Sequence, residues 1–284
     1  MKGIILAGGD GTRLRPLTIA FSKQLIPVFD KPLIYYPICT LMNMGIKKIL
    51  IIVKSNQKNN FYNLLKNGQE FGISIEYEIQ DRPNGIAESL LIGSKFIKNS
   101  PITLILGDNI FYSEDLKNKI KYFYKKNKSH IFLYKVKNPK DYGVVSFVNN
   151  KISLIKEKPK KPLSNYAVTG LYIYDNNAIK YAQDLKPSSR GELEITDLNN
   201  IYIKNKAMNY TVLKNSSVWF DAGTPSSLLY ASQYIQAVQE RNNILISSPE
   251  EIAYKMKFIN KVDLTKLLKK MPKNKYFNTL RELL

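Results

Sequence analysis

The sequence predicts an α/β fold: a largely parallel sheet covered on both faces by helices, followed by a β-rich part and a helical tail. Three observations predict it. Short apolar runs alternate with helical stretches as far as residue 128, β-type runs crowd the stretch after His130, and the lysine-rich end keeps a helical pattern. Strand–helix alternation implies parallel strands whose connections cross the two faces of one sheet.

The apolar run Gly3–Ala7 forms the first strand and stops at a glycine cluster. A helix over Pro32–Met44 ends at Gly45 and leads to a strand at Lys48–Val53. Helix Gln57–Leu65, with Gly68 and Gly72 after it, leads to strand Ser74–Ile79. Helix Ile86–Phe96 leads to strand Thr103–Leu106, and a helix over Glu114–Lys126 completes the alternating part. Beyond it His130–Val136, Tyr142–Phe147, Lys151–Ile155 and Val168–Tyr174 read as strands, with Asn149-Asn150 as a hairpin turn. A helix at Glu192–Lys204, strands at Met208–Leu213 and Val218–Asp221, and a long helix from Thr224 to Asn242 follow, and Ser247–Leu284 is helical in pattern. Open parallel sheets bind ligands beyond the carboxyl ends of their strands, and Gly8, Gln80 and Asp108 each stand just past such an end.

Composition narrows the function. The chain has 284 residues, 44% of them hydrophobic and 23% charged, enough to bury a sizeable core. No apolar run approaches the ~18 residues of a membrane-spanning helix, and Ile4–Ala7 is too short for a signal peptide. The expected location is therefore cytoplasmic, with no membrane partner. The single cysteine, Cys39, forms no internal disulfide and reads as a small buried filler. His130 is the only histidine, so any metal should be held by carboxylates, which points to Mg²⁺. The net charge of +20 comes from scattered lysines without a nucleic-acid-binding motif. It reads as a solvated basic surface that speeds the arrival of a phosphorylated substrate, with no nucleic-acid partner.

Gly8, Gly9 and Gly11 lie between the first strand and Thr12-Arg13. Glycines there let amides approach phosphate oxygens and supply positive φ, and Arg13 adds a cationic fork suited to phosphate. The glycines alone fit an ordinary strand-to-helix turn equally well; Arg13, with Lys23 ten residues later, favours phosphate. Leu14 excludes a dinucleotide fingerprint starting at Gly9, and no Gly-Lys-Ser or Gly-Lys-Thr completes a P-loop. Asp108 and Asp221 follow or end separate strands, each beside a glycine. Singly, each reads as a turn or helix cap; together with the arginine loop they suit a hard dication with positions left for phosphate oxygens. Glu157-Lys158 closes a strand before Pro159, as a sugar and phosphate contact or, equally, as a surface ion pair.

These residues add up to a resemblance. Gly8–Leu14 with Pro16, then Ser22-Lys23-Gln24-Leu25-Ile26-Pro27, resembles the signature of the sugar-phosphate nucleotidylyltransferases. Within them the chain is similar to the glucose-1-phosphate thymidylyltransferases. Further blocks are Asp30-Lys31-Pro32, Tyr35-Tyr36-Pro37, Gly107–Tyr112, Asn165–Tyr172, Ser189–Asp197 and Trp219–Thr224, and the match runs to about Ile259.

The resemblance implies a Rossmann-like nucleotidyltransferase core with a mostly parallel mixed central sheet, a β-rich sugar-binding part and a C-terminal helical segment. It implies a catalytic domain over 1–242 (nucleotide part about 1–128, sugar part about 129–242) and a helical segment over 243–284. By position, Gly8, Gly11, Thr12, Arg13, Lys23 and Gln24 meet the nucleotide and its phosphates, and Gln80 and Gly85 the base. Asn109, Tyr142, Gly143, Glu157, Lys158 and Val168, with Arg190 and Trp219, match the sugar-phosphate pocket, and Asp108 and Asp221 the Mg²⁺ ligands. Arg13, Lys23, Lys158, Asp108 and Asp221 are the implied catalytic residues. The implied reaction joins dTTP to α-D-glucose 1-phosphate, giving dTDP-glucose and pyrophosphate, as the first step of dTDP-L-rhamnose-type deoxysugar synthesis, in a homotetramer. The alternative is a uridylyltransferase on a related sugar 1-phosphate, since thymine and uracil differ by one methyl. Two departures stand out. Asp10 puts an acid inside the glycine loop and is expected to turn outward. Ser113, Glu114 and Lys255 depart from the pattern of the family's secondary, product-binding site, which predicts weakened feedback by dTDP-L-rhamnose.

Overall fold

The computed structural model describes residues 1–113, 129–214 and 216–284; the helix expected over Glu114–Lys126 lies outside them. The chain opens with β1 (Lys2–Leu6), then a small hairpin of β2 (Pro27–Val28) and β3 (Lys31–Pro32), then α1 (Tyr35–Asn43). Next come β4 (Lys48–Val53), α2 (Lys58–Leu65), β5 (Ser74–Ile79), α3 (Glu88–Ile92) and α4 (Ser94–Ile97). Strands β6 (Ile102–Leu106), β7 (Asn109–Tyr112), β8 (Ser129–Lys135), β9 (Gly143–Val148), β10 (Lys151–Glu157) and β11 (Tyr166–Tyr174) follow. The remainder is α5 (Asn177–Gln183), α6 (Ile195–Lys204), β12 (Met208–Val212), β13 (Val218–Asp221) and α7 (Pro225–Asn242), closed by α8 (Pro249–Lys255), α9 (Lys261–Lys269) and α10 (Lys275–Arg281).

Among the described residues the main sheet has nine strands in the order β10-β9-β11-β6-β1-β4-β5, with β8 and β12 branching from β11. Strands β6, β1, β4 and β5 run parallel, whereas β11 pairs antiparallel with β6. This is the mixed, mostly parallel core that strand–helix alternation followed by β-type runs predicts. Period-2 alternation along the strands divides the apolar residues between two faces. Ile5, Ile49, Ile51 and Ile105 enter one core with Ile38 and Leu41 of α1 and Leu264, Leu267 and Leu280 of the C-terminal helices. Ile4, Leu50, Ile52 and Leu104 enter the other with Leu90, Ala178 and Leu198. Each such side chain contributes about 1.5–3 kcal/mol through burial, so the sheet is a rigid base for whatever its strand ends carry.

Several elements depart from expectation. The helix expected over Pro32–Met44 begins at Tyr35, because Pro32 has no N–H and pairs instead with Pro27 in the β2–β3 hairpin. The helix expected over Ile86–Phe96 starts at Glu88 and breaks at Gly93, where a methyl would lie 3.0 Å from Ile4 and from the Ser89 carbonyl. The helix expected from Glu192 begins at Ile195, since the Leu193 amide and carbonyl are bonded to Asn84 and Ala87. Strand β7 and helix α5 were not foreseen. Asn149 and Asn150 take φ of 48° and 59°, the left-handed pair of a tight hairpin, as their sequence predicts. Only Gly11 of the loop glycines has positive φ (59°); Gly8 is required by close approach instead, since a methyl there would lie 3.0 Å from the Gln80 Oε1. Cys39 is fully buried, and burial pushes its thiol pKa up, which suits a filler and not a nucleophile.

Candidate active site

The carboxyl ends of β1, β6 and β13 meet at one cavity of about 370 Å³. Strand β6 runs into Gly107 and Asp108, and β7 starts at once with Asn109. Antiparallel pairing of β7 with β13 sets Asp221 opposite Asn109, and the Ala222 amide donates to the Asp108 carbonyl at 3.0 Å. Two aspartates 113 positions apart are thereby brought side by side. Arg13 reaches them from the loop after β1: a methyl on Gly223 would lie 2.7 Å from an Arg13 Nη and 3.0 Å from the Asp221 Oδ1. Gly223 keeps that space open. Buried Leu14 anchors the short 3₁₀ turn that carries Arg13, and a second 3₁₀ turn, Lys23–Leu25, delivers Lys23 to an ion pair with Asp108.

Electrostatics separates the two acids. Burial opposes ionisation of Asp108, but the Lys23 ammonium and the Asn109 amide hold its carboxyl below the usual range. Burial and then the charge of Asp108 push Asp221 up to about 6, against the pull of Lys23, Arg13 and Lys158. Cavity-lining side chains include six acids (Asp108, Asp141, Glu157, Glu192, Glu194, Asp221) against four cations (Arg13, Lys23, Lys158, Arg190). With acids outnumbering cations, added positive charge would favour phosphate in this cleft. Paired carboxylates, Asp108 buried and Asp221 half-buried, are hard oxygen donors that fit a dication such as Mg²⁺. Among the described residues no group of three or more His, Cys, Asp or Glu could hold a metal ion, so a dication on this pair would keep other positions open.

The far wall is built from β9, β10, β11 and α6. Val168, Gly143 and Tyr142 line it, and Glu157 sits at the end of β10. Thr196 donates to the Glu157 Oε2 at 2.6 Å, fixing that carboxylate. Lys158 follows with φ of 40°, its amide donating to the Tyr142 carbonyl at 3.0 Å. The Arg190 guanidinium makes three hydrogen bonds to Glu194, at 2.7, 2.8 and 3.0 Å, and lies 3.7 Å from Glu157. Asn109 is buried and its side chain is engaged: Oδ1 accepts from the Gly170 amide at 3.0 Å and the Trp219 indole N–H at 2.6 Å, while Nδ2 donates to Asp108 at 3.1 Å. Trp219 lies under Tyr142, ring centroids 5.3 Å apart.

Thirteen of the eighteen residues named from sequence line this one cavity: Arg13, Lys23, Gln24, Asp108, Asn109, Tyr142, Gly143, Glu157, Lys158, Val168, Arg190, Trp219 and Asp221. Gly8, Gly11, Thr12, Gln80 and Gly85 do not line it: Gly8, Thr12 and Gly85 are chain neighbours of lining residues, Gln80 lies against Gly8, and a methyl on Gly11 would lie 3.5 Å from the Lys23 Cβ. The Gln80 Nε2 donates to Glu88 at 2.6 Å and to the Gly85 carbonyl at 3.3 Å. Gly85 takes φ of 107° where any side chain would strike the Leu193 backbone. Gln24, only 1% exposed, accepts from the Ser22 hydroxyl at 2.5 Å. Glu194, Thr196, Tyr172 and Gly170 also line the cavity and were missed. Glu194 and Thr196 lie in the same sequence block as Arg190, so a signal for them was present. Ser113 and Lys255 line a separate cavity of about 440 Å³, where Lys255 pairs with Glu251 at 2.5 Å; Glu114 lies outside the described residues.

Residues 2–238 match the Nucleotidyl transferase family. The chain is 46% identical over 286 aligned positions to a glucose-1-phosphate thymidylyltransferase of Neisseria meningitidis, covering all of this chain and 99% of the relative. It is 45% identical to one of Mycolicibacterium smegmatis, with 100% and 99% covered. A Bacillus anthracis structure described under the same activity superposes with a TM-score of 0.78 at 41% identity, covering 87% of this chain and 98% of that one. A UDP-glucose pyrophosphorylase solved with UDP-glucose superposes with a TM-score of 0.74 at 25% identity, covering 84% and 98%.

Proposed function

The chain belongs to the nucleotidyl transferase family, grouping with its glucose-1-phosphate thymidylyltransferases, and on that premise we propose that it transfers a thymidylyl group from dTTP to glucose 1-phosphate. The products are dTDP-glucose and pyrophosphate, the entry to dTDP-rhamnose-type sugar synthesis. The observation that carries this reading at the level of the site is the convergence of Arg13, Lys23, Asp108, Asp221 and Lys158 on one cavity with excess negative charge.

A phosphate oxygen of glucose 1-phosphate attacks the α-phosphorus of dTTP in line; the bond from that phosphorus to the bridging oxygen breaks, and pyrophosphate leaves. The attacking phosphate is already ionised, so no side chain has to take a proton, which fits the absence of any catalytic duty for Cys39. Two polyanions have to meet, and alignment with charge neutralisation supplies most of the rate. Asp108 and Asp221 would hold Mg²⁺, which would supply positive charge to neutralise the phosphates. Arg13, beside Asp221, stabilises the charge that gathers on the leaving pyrophosphate. Lys23 neutralises Asp108 before substrate arrives and is within reach of the nucleotide's phosphates afterwards. Lys158, held by its amide to Tyr142, grips the sugar phosphate, and Glu157, fixed by Thr196, accepts from sugar hydroxyls.

The test is pyrophosphate release with dTTP, glucose 1-phosphate and Mg²⁺, beside UTP, sugar-free and metal-free arms. Release that needs the sugar and the metal, and that is faster with dTTP than UTP, is the expected result. Preference for UTP would move the chain to uridylyl transfer, a reading kept open by its likeness to a UDP-glucose pyrophosphorylase.

A further inference from the structure

Resting on the reading above, we propose that Lys54 is a positioning residue for the nucleotide: it holds the Asp10 carboxylate on the outer side of the glycine loop and cancels its charge, so that the loop can receive a triphosphate. An acid within a phosphate-receiving loop is an electrostatic problem. A carboxylate a few ångströms from a phosphate repels it by an amount that is large wherever the local dielectric is low.

The geometry shows how this chain solves it. Gly9 lines two cavities, the active-site cavity and a second one of about 400 Å³. Asp10 and Lys54 line only the second. There the Lys54 ammonium forms an ion pair with the Asp10 Oδ1. Lys54 is well placed to hold it. It follows directly on β4, the strand beside β1, and the pairing of those two strands continues to the loop through the Ala7 amide and the Ile52 carbonyl at 2.7 Å. The turn after Lys54 is pinned by Asp81, whose Oδ1 accepts from the Ser55 amide at 2.9 Å. On its other flank the loop is tied by Thr18, which donates to the Gly11 carbonyl at 2.7 Å. Asp10 thus turns between two fixed points, and Lys54 decides which way it faces. The pair is about one-third exposed, so its value as a stabilising contact is small; its effect is on the charge the nucleotide meets.

The experiment compares wild type with Lys54→Thr, Lys54→Arg, Asp10→Ser and the Asp10→Ser/Lys54→Thr double variant. Steady-state pyrophosphate release and equilibrium titration of dTTP with Mg²⁺ are measured at low and high salt, and thermal midpoints check folding. Lys54→Thr should raise both the KM and the dissociation constant for dTTP about tenfold at low salt, and less in high salt. Its kcat and its KM for glucose 1-phosphate should stay within about twofold, because the chemical groups are untouched. Lys54→Arg and the double variant should return dTTP binding to within about twofold of wild type, the latter because no charge remains to be cancelled. Unchanged dTTP affinity in Lys54→Thr overturns the proposal, as does a double variant as weak as the single, or an equal rise in the sugar KM. A wild type that binds dTTP but releases no pyrophosphate contradicts the proposed reaction alone, and the titrations still decide the role of Lys54.

Discussion

Two clusters of buried charge in this molecule are built on opposite principles. One lies under the C-terminal helices. Lys31, 3% exposed, pairs with Asp30, donates to the Gln239 Oε1 at 3.0 Å and sits 5.4 and 5.6 Å from the rings of Tyr36 and Tyr276. Gln239 donates in turn to Asp30 at 2.8 Å. Close by, Glu250 accepts from Tyr276 at 2.6 Å and Ser248 at 2.9 Å. Each charged group there has a partner within the protein, although burial still lowers the Lys31 pKa and raises that of Glu250. In the active-site cavity Asp108 and Asp221 are set side by side, and burial and then the charge of Asp108 push Asp221 up to about 6 against the pull of Lys23, Arg13 and Lys158. A self-satisfied cluster fastens the tail to the core. A cluster left short of positive charge marks where a ligand completes the structure.

The sharpest way to break this contrast is Arg13→Ala. Arg13 is exposed, so thermal stability should hold while kcat falls by about 10²–10³-fold, the usual scale for losing a charge-stabilising donor; near-normal turnover would remove Arg13 from the chemistry. Asp221→Asn should separate function from stability. Turnover should collapse, yet unfolding in urea with a chelator present should show equal or greater stability, by an amount on the order of 1 kcal/mol, since a repelled, half-buried charge is gone. A clear loss of stability would show that the pair is structural. Tyr276→Phe should do the reverse, costing about 1–3 kcal/mol by leaving Glu250 short of a donor while kcat and KM stay level. The smallest effect is one of pH. Burial raises the Glu250 pKa despite Tyr276 and Ser248, so the folded state holds that proton more tightly than the unfolded chain. Its contribution is therefore full below the ordinary glutamate range and is lost as pH rises through the raised value. Urea unfolding of Glu250→Gln across that range should show a shallower decline than wild type.

Much of this was legible in the sequence, because its signals are local. The runs Lys48–Val53 and Ser74–Ile79 became strands with those bounds, and an apolar run before a glycine cluster placed the loop. Asp108 and Asp221 were identified by residue type and strand-end position, and the structure brings them together. Features that depend on distant pairing were not legible. Strand β7 is four residues with no period to read, and it exists because Val218–Asp221 lies beside it. The break at Gly93 comes from the side chains of Ile4 and Leu50, both remote in sequence. Lys31 looks like any surface lysine until Gln239, 208 residues away, is folded over it. Asp10 stood out as an anomaly, but its partner, Lys54, lies 44 residues on, just past the end of β4.

The central claim is that Asp108 and Asp221 form a dication site facing the nucleotide. Anomalous diffraction from crystals soaked with Mn²⁺ and dTTP tests it most directly. A single peak within about 2.3 Å of a carboxylate oxygen from each aspartate, and bonded to a phosphate oxygen, is the predicted result. A peak bonded to neither aspartate, with dTTP in place, would contradict it.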